Sequence, residues 1–126
     1  MSFDSFAGTF ANTLAPSAMR EAYARHIVPA PGRIYFQAAL GIGNALNFSN
    51  PSRPPLLLIS GEKDLTSTPD MAEAMLERHR RSPSRVDLLS FPGRSHWLIA
   101  EPGWEEVAAG ILDWVGSLRS DTAARG

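Results

Sequence analysis

Two short loops in the second half of the chain each carry a residue suited to acid–base chemistry. The letters GEKD occupy positions 61–64 and the letters GRSH occupy positions 93–96, so Asp64 and His96 each stand three residues after a glycine. A carboxylate beside an imidazole fixes its tautomer and stabilises the imidazolium, and the two groups form the base half of a nucleophilic triad. We therefore predict Asp64 and His96 as a catalytic pair that needs neither a metal nor a cofactor.

Other acidic and histidine residues are weaker candidates for this chemistry. Glu62 follows too closely on the apolar run before it, and Asp70 is better explained by the start of a helix, where a negative charge is stabilising. His26 and His79 fall on segments with helical patterns. A structural role is the simpler interpretation for both histidines.

Three further patterns resemble known motifs but lack the required context. Ser60 and Lys63 have the Ser-x-x-Lys spacing of penicillin-recognising enzymes, but Ser60 ends a predicted strand instead of beginning a helix. Gly41-Ile42-Gly43 resembles the start of a dinucleotide fingerprint, but no strand precedes it. Ser95 adjoins His96, and neighbouring residues in an extended loop point apart, so Ser95 is not predicted as a nucleophile. The tryptophans are predicted to be packing residues, and they are Trp97, Trp104 and Trp114.

The elements that must position the pair alternate between strand and helix. A continuous apolar run at 56–59 and an apolar segment at 85–91 predict two strands, the first of them buried on both faces. Thr68 and Pro69 predict the start of a helix between them, and a final helix is predicted at 103–118. A right-handed crossover would place both loops at one sheet edge, where ligands and chemistry collect. The predicted inner stripe of the final helix is Trp104, Val107, Ala108, Ile111, Leu112, Val115 and Leu118.

The first 50 residues follow a different pattern. Apolar residues at helical spacing predict a helix at 19–27, which Pro29 ends. A second helix is predicted at about 32–46, followed by a proline-rich connector at 47–55. The predicted organisation is a helical segment at 1–50, a parallel β-α-β-α unit at 51–120 and a frayed tail at 121–126.

The segments RPPLLLISGEKDLTSTP (53–69) and FPGRSHWLIAEPGWEEVAAGILDWV (91–115) resemble the end of α/β-hydrolase-fold enzymes. In that family a Gly-x-x-Asp loop gives the triad acid, a Gly-x-x-His loop gives the histidine, and a long helix follows. The resemblance covers about residues 53–118 and implies that Asp64 is the acid and His96 the histidine. It also implies a partial α/β-hydrolase fold, in which residues 1–50 are similar to the helical cap between the family's two halves.

The family's nucleophile has no counterpart in this sequence. That residue sits on a Gly-x-Ser-x-Gly elbow before the cap, and the pattern does not occur here. The early strands and the oxyanion loop are not recognisable either. The resemblance therefore implies a C-terminal hydrolase portion whose nucleophile, serine or aspartate, lies elsewhere. Full activity of this chain alone is not expected. Two alternatives stay open: a non-catalytic remnant that binds a small molecule or a partner protein, and a small enzyme that uses Asp64 and His96 directly on water.

Composition excludes several other classes of protein. Apolar residues make up 44% of the chain, charged residues 20%, the formal net charge is -1 and there is no cysteine. No basic stripe suggests nucleic acid binding, and no apolar run reaches the ~20 residues that would cross a membrane. No secretory signal is recognisable, so we expect a cytoplasmic protein. Two strands alone leave an apolar sheet edge open, so we expect self-association or docking with a complementing hydrolase segment.

Overall fold

The computed structural model describes residues 1–29, 31–41, 43 and 45–123. Helices and a small parallel sheet make it a mixed α/β protein. The helices and strands follow in the order α1 (Phe3–Ser5), a π-helical turn (Phe6–Phe10), α2 (Pro16–His26), α3 (Gly32–Ala39), β1 (Leu56–Gly61), α4 (Pro69–His79), β2 (Val86–Phe91) and α5 (Trp104–Ala123). None of the helices within these residues is both long and apolar enough to cross a membrane.

The two strands pair in parallel, and α4 forms the crossover between them. Their register runs from Leu56 opposite Val86 to Gly61 opposite Phe91, so both strands end at the same level of the sheet. The predicted β-α-β-α order is therefore confirmed. β1 extends two residues beyond the predicted run, because the hydrogen-bonded ladder continues to the point where the two loops separate.

Burial of β1 differs from the prediction. The side chains at 56–59 are only half-buried, and full burial begins at Ser60 and Gly61. Within the described residues the sheet has only two strands. The apolar run therefore lacks a neighbouring strand on its second edge and remains partly exposed to water.

Helix α4 begins as the sequence predicts, and α5 differs at its end and along its stripe. The hydroxyl of Thr68 accepts the backbone N–H of Met71, and Pro69 stands at the first helical position. α5 continues through Ala123, beyond its predicted end at 118, while residues 124–126 lie outside the described residues. No glycine or proline interrupts 117–123, which allows the helix to continue. Within the predicted inner stripe, Trp104, Leu112 and Val115 are exposed, so the stripe is not buried along its whole length.

The N-terminal helices depart further from the predicted boundaries. α2 begins at Pro16, three residues early, because proline suits the first turn of a helix. α3 ends at Ala39 instead of 46, since Gly41 and Gly43 adopt positive φ angles of 71° and 75°. The turn at Phe6–Phe10 was not predicted as a separate element.

Two buried apolar clusters meet at the histidine loop. Phe6, Ala11 and Leu14 form the N-terminal cluster, and Trp97 packs against it. Phe91, Leu98 and Val107 form the C-terminal cluster, which includes parts of both strands and α5. Because the adjacent residues Trp97 and Leu98 enter different clusters, the segment after His96 is anchored on both sides.

Candidate active site

The loops that follow β1 and β2 touch along their backbones. The N–H of Glu62 donates to the carbonyl of Phe91 at 3.0 Å, and that of Lys63 donates to the carbonyl of Arg94 at 2.8 Å. A Cβ atom on Gly61 would stand 2.5 Å from the Arg94 carbonyl oxygen and 2.7 Å from that of Ser95. Only glycine permits this approach, because any side chain would collide with backbone that cannot move independently.

This contact brings Asp64 and His96 together. Oδ2 of Asp64 lies 2.7 Å from Nδ1 of His96, although 32 residues separate them in sequence. The carboxylate is almost fully buried, with 4% of its side chain exposed, while the imidazole is 28% exposed. The juxtaposition expected from the crossover is therefore present, and the catalytic role of the two residues remains a prediction.

The second oxygen of the Asp64 carboxylate is held by its own loop. Oδ1 accepts the backbone N–H groups of Thr66 and Ser67, both at 2.8 Å. The N–H of Asp64 donates in turn to the carbonyl of Gly61 at 3.1 Å. A short polar side chain that accepts from the backbone two and three residues ahead stabilises a tight turn. The carboxylate therefore has a fixed orientation before any substrate binds.

The His96 imidazole lies against an aromatic ring from the N-terminal region in an edge-to-face arrangement. The ring centroids of Phe10 and His96 are 4.3 Å apart with an interplanar angle of 67°. The carbonyl of Phe10 also accepts the N–H of Trp97 at 3.0 Å. When Nδ1 donates its proton to Asp64, the lone pair of the imidazole resides on Nε2, which is then available as a base.

The rival acids and histidines have other contacts. Glu62 accepts the N–H of Gly93 at 2.7 Å and so braces the two loops, and Asp70 lies in the first turn of α4. The ring of His26 is 5.5 Å from that of Trp97, and the ring of His79 is 4.9 Å from that of Phe48. In the described part of the chain, no hydrogen bond or ion pair joins any of these four residues to Asp64 or His96.

The two serines closest to the motifs are buried. Ser95 is fully buried and donates its hydroxyl hydrogen to Glu101 at 3.0 Å. Ser60 is 4% exposed at the end of β1, where its hydroxyl has no partner among the described residues. The Gly41-Ile42-Gly43 pattern falls partly outside the described residues, because Ile42 is not among them.

A buried polar cluster that was not predicted from the sequence lies behind the histidine loop. Glu101 is 3% exposed, and its Oε2 accepts hydrogen bonds from Ser95 and Thr13. Arg94 lies 3.6 Å from Oε1 of the same carboxylate and donates to the carbonyls of Pro102 and Gly103 at 2.6 and 2.7 Å.

The pKa of Arg94 is raised, chiefly by its hydrogen bond to Glu106 and further by the charge of Glu101. No periodicity predicts such a cluster, because its members lie on a loop and on a distant N-terminal segment. The one sequence signal is an acidic residue, Glu101, immediately before Pro102 at the start of the final helix.

Two cavities among the described residues lie away from the pair. One of about 400 Å³ lies between α2 and residues 97–105, and another of about 650 Å³ lies over β2 and α4. Neither is lined by Asp64 or His96. Within the described residues, no group of three His, Asp or Glu side chains is arranged to hold a metal ion.

Comparison with known proteins gives no independent assignment. No family model, no curated protein and no solved structure matches the chain.

Proposed function

We propose that this chain supplies the acid and the histidine of an α/β-hydrolase-type triad that hydrolyses an ester or a similar small substrate. The observation that carries the proposal is the 2.7 Å contact between Oδ2 of Asp64 and Nδ1 of His96. The order of the loops, their position at the end of parallel strands and the helix that follows support the same reading.

In this proposal His96 acts as the general base, and Asp64 orients it and stabilises its charged form. Nε2 of His96 accepts the proton of the nucleophile as it attacks and returns it to the leaving group. Asp64 keeps the proton of the imidazole on Nδ1 and stabilises the positive charge that forms on the ring. Its two backbone hydrogen bonds keep the carboxylate in place throughout, so no reorganisation is needed.

The nucleophile and the oxyanion donors come, in this proposal, from a hydrolase segment outside this chain. Ser95 and Ser60 are poor replacements, because one is committed to Glu101 and the other is buried at a strand end. A serine nucleophile and an aspartate nucleophile are both compatible with Asp64 and His96 in these roles.

The surface of the chain supports such a complementing segment. Its accessible area is 8731 Å², whereas a compact monomer of 13.7 kDa exposes about 6,600 Å². Among the described residues, the half-buried run at 56–59 and exposed residues of α5 such as Leu112 and Val115 present apolar surface to water. A strand added beside β1 would cover this edge. Self-association through the same edge is the competing arrangement.

The first test joins the chain to the coding stretch immediately upstream. We expect that stretch to encode a strand followed by a nucleophile elbow. The co-expressed pair should hydrolyse p-nitrophenyl acetate, and a serine elbow should react with a fluorophosphonate probe. His96→Ala and Asp64→Asn should each lower kcat by about 10⁴-fold or more, because the base and its orientation are lost.

The controls separate this activity from background ester cleavage by surface imidazoles. His26→Gln changes another exposed histidine and should leave the rate unchanged. The chain alone should show no labelled serine and only background turnover. Specific labelling of a serine in the chain alone would refute the external nucleophile. An upstream stretch without an elbow, or full turnover in His96→Ala, would refute the triad assignment.

A further inference from the structure

Glu101 is a buried carboxylate that gathers three residues around the histidine loop. Its Oε2 accepts from the hydroxyl of Ser95 at 3.0 Å and from that of Thr13 at 2.5 Å. Its Oε1 lies 3.6 Å from the guanidinium of Arg94. A carboxylate with 3% exposure is strongly destabilising unless such partners are present. The cluster therefore fixes the relative positions of three separate pieces of backbone.

Two of these partners, Arg94 and Ser95, are the two residues that precede His96 in sequence. Ser95 immediately precedes His96, so its hydroxyl anchors the loop one residue from the imidazole. The carbonyl of Arg94 accepts the N–H of Lys63, the residue before Asp64, at 2.8 Å. A displacement of Glu101 would therefore shift both the His96 loop and the Asp64 loop, and so change the 2.7 Å contact between Asp64 and His96.

The third partner belongs to residues 9–13, which we term the N-terminal strap. The amide of Asn12 donates to the carbonyl of Lys63 at 3.0 Å, and the hydroxyl of Thr66 donates to the carbonyl of Thr9 at 3.1 Å. Phe10, the second residue of the strap, lies against the His96 ring. The strap therefore touches the acid loop and the histidine loop, and Thr13 fastens its end to Glu101.

The geometry points to Glu101 as a positioning residue for His96. Through its hydrogen bond with Thr13, Glu101 also holds the N-terminal strap beside the imidazole. In this arrangement the Phe10 ring packs edge-to-face with the imidazole and limits its rotation about Cβ–Cγ. The imidazole is then held as the Nδ1–H tautomer against Asp64. The consequence for catalysis rests on the proposed hydrolase function, whereas the positioning itself does not.

The test uses the purified chain labelled with ¹⁵N-histidine and needs no turnover. Nitrogen shifts report the tautomer of His96, solvent exchange reports the protection of its Nδ1 proton, and the ring C–H shifts report the ring current of Phe10. The variants are Glu101→Gln, Thr13→Val and Thr13→Ser. Glu105→Gln is the matched control, because Glu105 is an exposed acid four residues further along.

We expect a single Nδ1–H tautomer and a protected Nδ1 proton in the unmodified chain. Glu101→Gln and Thr13→Val should speed exchange of that proton by about ten- to hundredfold, the effect of losing a hydrogen bond to a charged group. They should also reduce the ring-current shift from Phe10. Thr13→Ser keeps the hydroxyl and should restore both signals, and Glu105→Gln should resemble the unmodified chain.

Several outcomes would overturn the inference. One is a lower melting temperature in Thr13→Val with unchanged His96 signals, which would make the cluster merely structural. Another is an equal effect from Glu105→Gln. Thr13→Val removes one hydroxyl from an exposed residue, so it remains informative if Glu101→Gln fails to fold. Because the signals do not depend on an ester or a nucleophile, an inactive complex would count against the proposed function and leave this result standing.

Discussion

The β-α-β-α unit and the N-terminal region are ordered by different kinds of interaction. In the former, a threonine cap, a proline at a helix start and two apolar runs each predict their own element. In the latter, four aromatic contacts centred on Phe6, Tyr23 and Trp97 hold short elements together at centroid distances of 5.5 to 5.7 Å. The comparison shows that short-range sequence features position the two strand-end loops, whereas aromatic residues distant in sequence pack against the histidine loop.

The histidine loop is the point where the two kinds of order meet. Trp97 packs in the N-terminal cluster and Leu98 in the C-terminal cluster, directly after His96. The imidazole therefore depends on both regions, although its motif lies in only one of them. A substitution in either cluster should therefore change the environment of His96. The loss of stability that it causes, and where amide exchange accelerates, should show whether the two clusters unfold together.

The largest effect is expected from Phe6→Ala, which removes the central side chain of the N-terminal cluster. Phe6 is fully buried, so the free energy of unfolding should fall by about 3–5 kcal/mol. Val107→Ala in the C-terminal cluster should lower it by less, since it deletes fewer buried atoms. Urea denaturation followed by circular dichroism measures both values.

Hydrogen exchange then distinguishes a local from a global loss of structure in Phe6→Ala. If the regions are separable, exchange at the Trp97 amide should accelerate far more than at the amides of β1 and β2. Equal acceleration at all three would show that the two clusters form one cooperative unit, which contradicts the division drawn here.

An intermediate effect is expected where the two strand-end loops touch. Gly61→Ala places a Cβ within 2.7 Å of two backbone oxygens, so the loops must separate and stability should fall by about 1–3 kcal/mol. The same substitution at Gly116, within α5 and with no atom near a new Cβ, should stabilise by up to about 1 kcal/mol. Thermal melts of the two variants give this contrast directly.

The Nδ1 proton of His96 gives a second measurement on the Gly61→Ala variant. Separation of the loops should also lengthen the Asp64–His96 contact and expose the Nδ1 proton of His96 to exchange. A Gly61→Ala protein with full stability and an unchanged His96 signal would mean that the loops tolerate a wider gap.

The sequence predicted the elements whose determinants lie within a few residues of one another. The crossover, the cap at Thr68 and the loops that carry Asp64 and His96 all have such local determinants. The end of α3 depends on positive φ angles at Gly41 and Gly43, which helical periodicity does not reveal. Phe10 could not be placed beside His96, nor Thr13 beside Glu101, because these two contacts join residues 86 and 88 positions apart in the chain.

The smallest effect is expected at a surface network that joins β2 to α5. Asp87 accepts from the indole N–H of Trp114 and from Arg85, both at 2.6 Å. These contacts, the indole bond first, lower the pKa of Asp87 below its ordinary value of 3.8, although partial burial opposes them.

A depressed carboxyl pKa stabilises the fold above the unfolded value, and the contribution disappears as the pH falls through the folded value. Asp87→Asn should therefore lower stability at pH ~7 by about 0.5 kcal/mol, a figure reduced for solvent screening because the side chain is 38% exposed. The difference from the unmodified chain should shrink as the pH falls below 3.8 and through the lowered folded pKa of Asp87. Asp113→Asn, on the exposed side of α5, serves as the control and should show no comparable loss at either pH. A deficit in Asp87→Asn that persists at low pH would assign the effect to packing of Trp114, and the link between β2 and α5 would then be apolar.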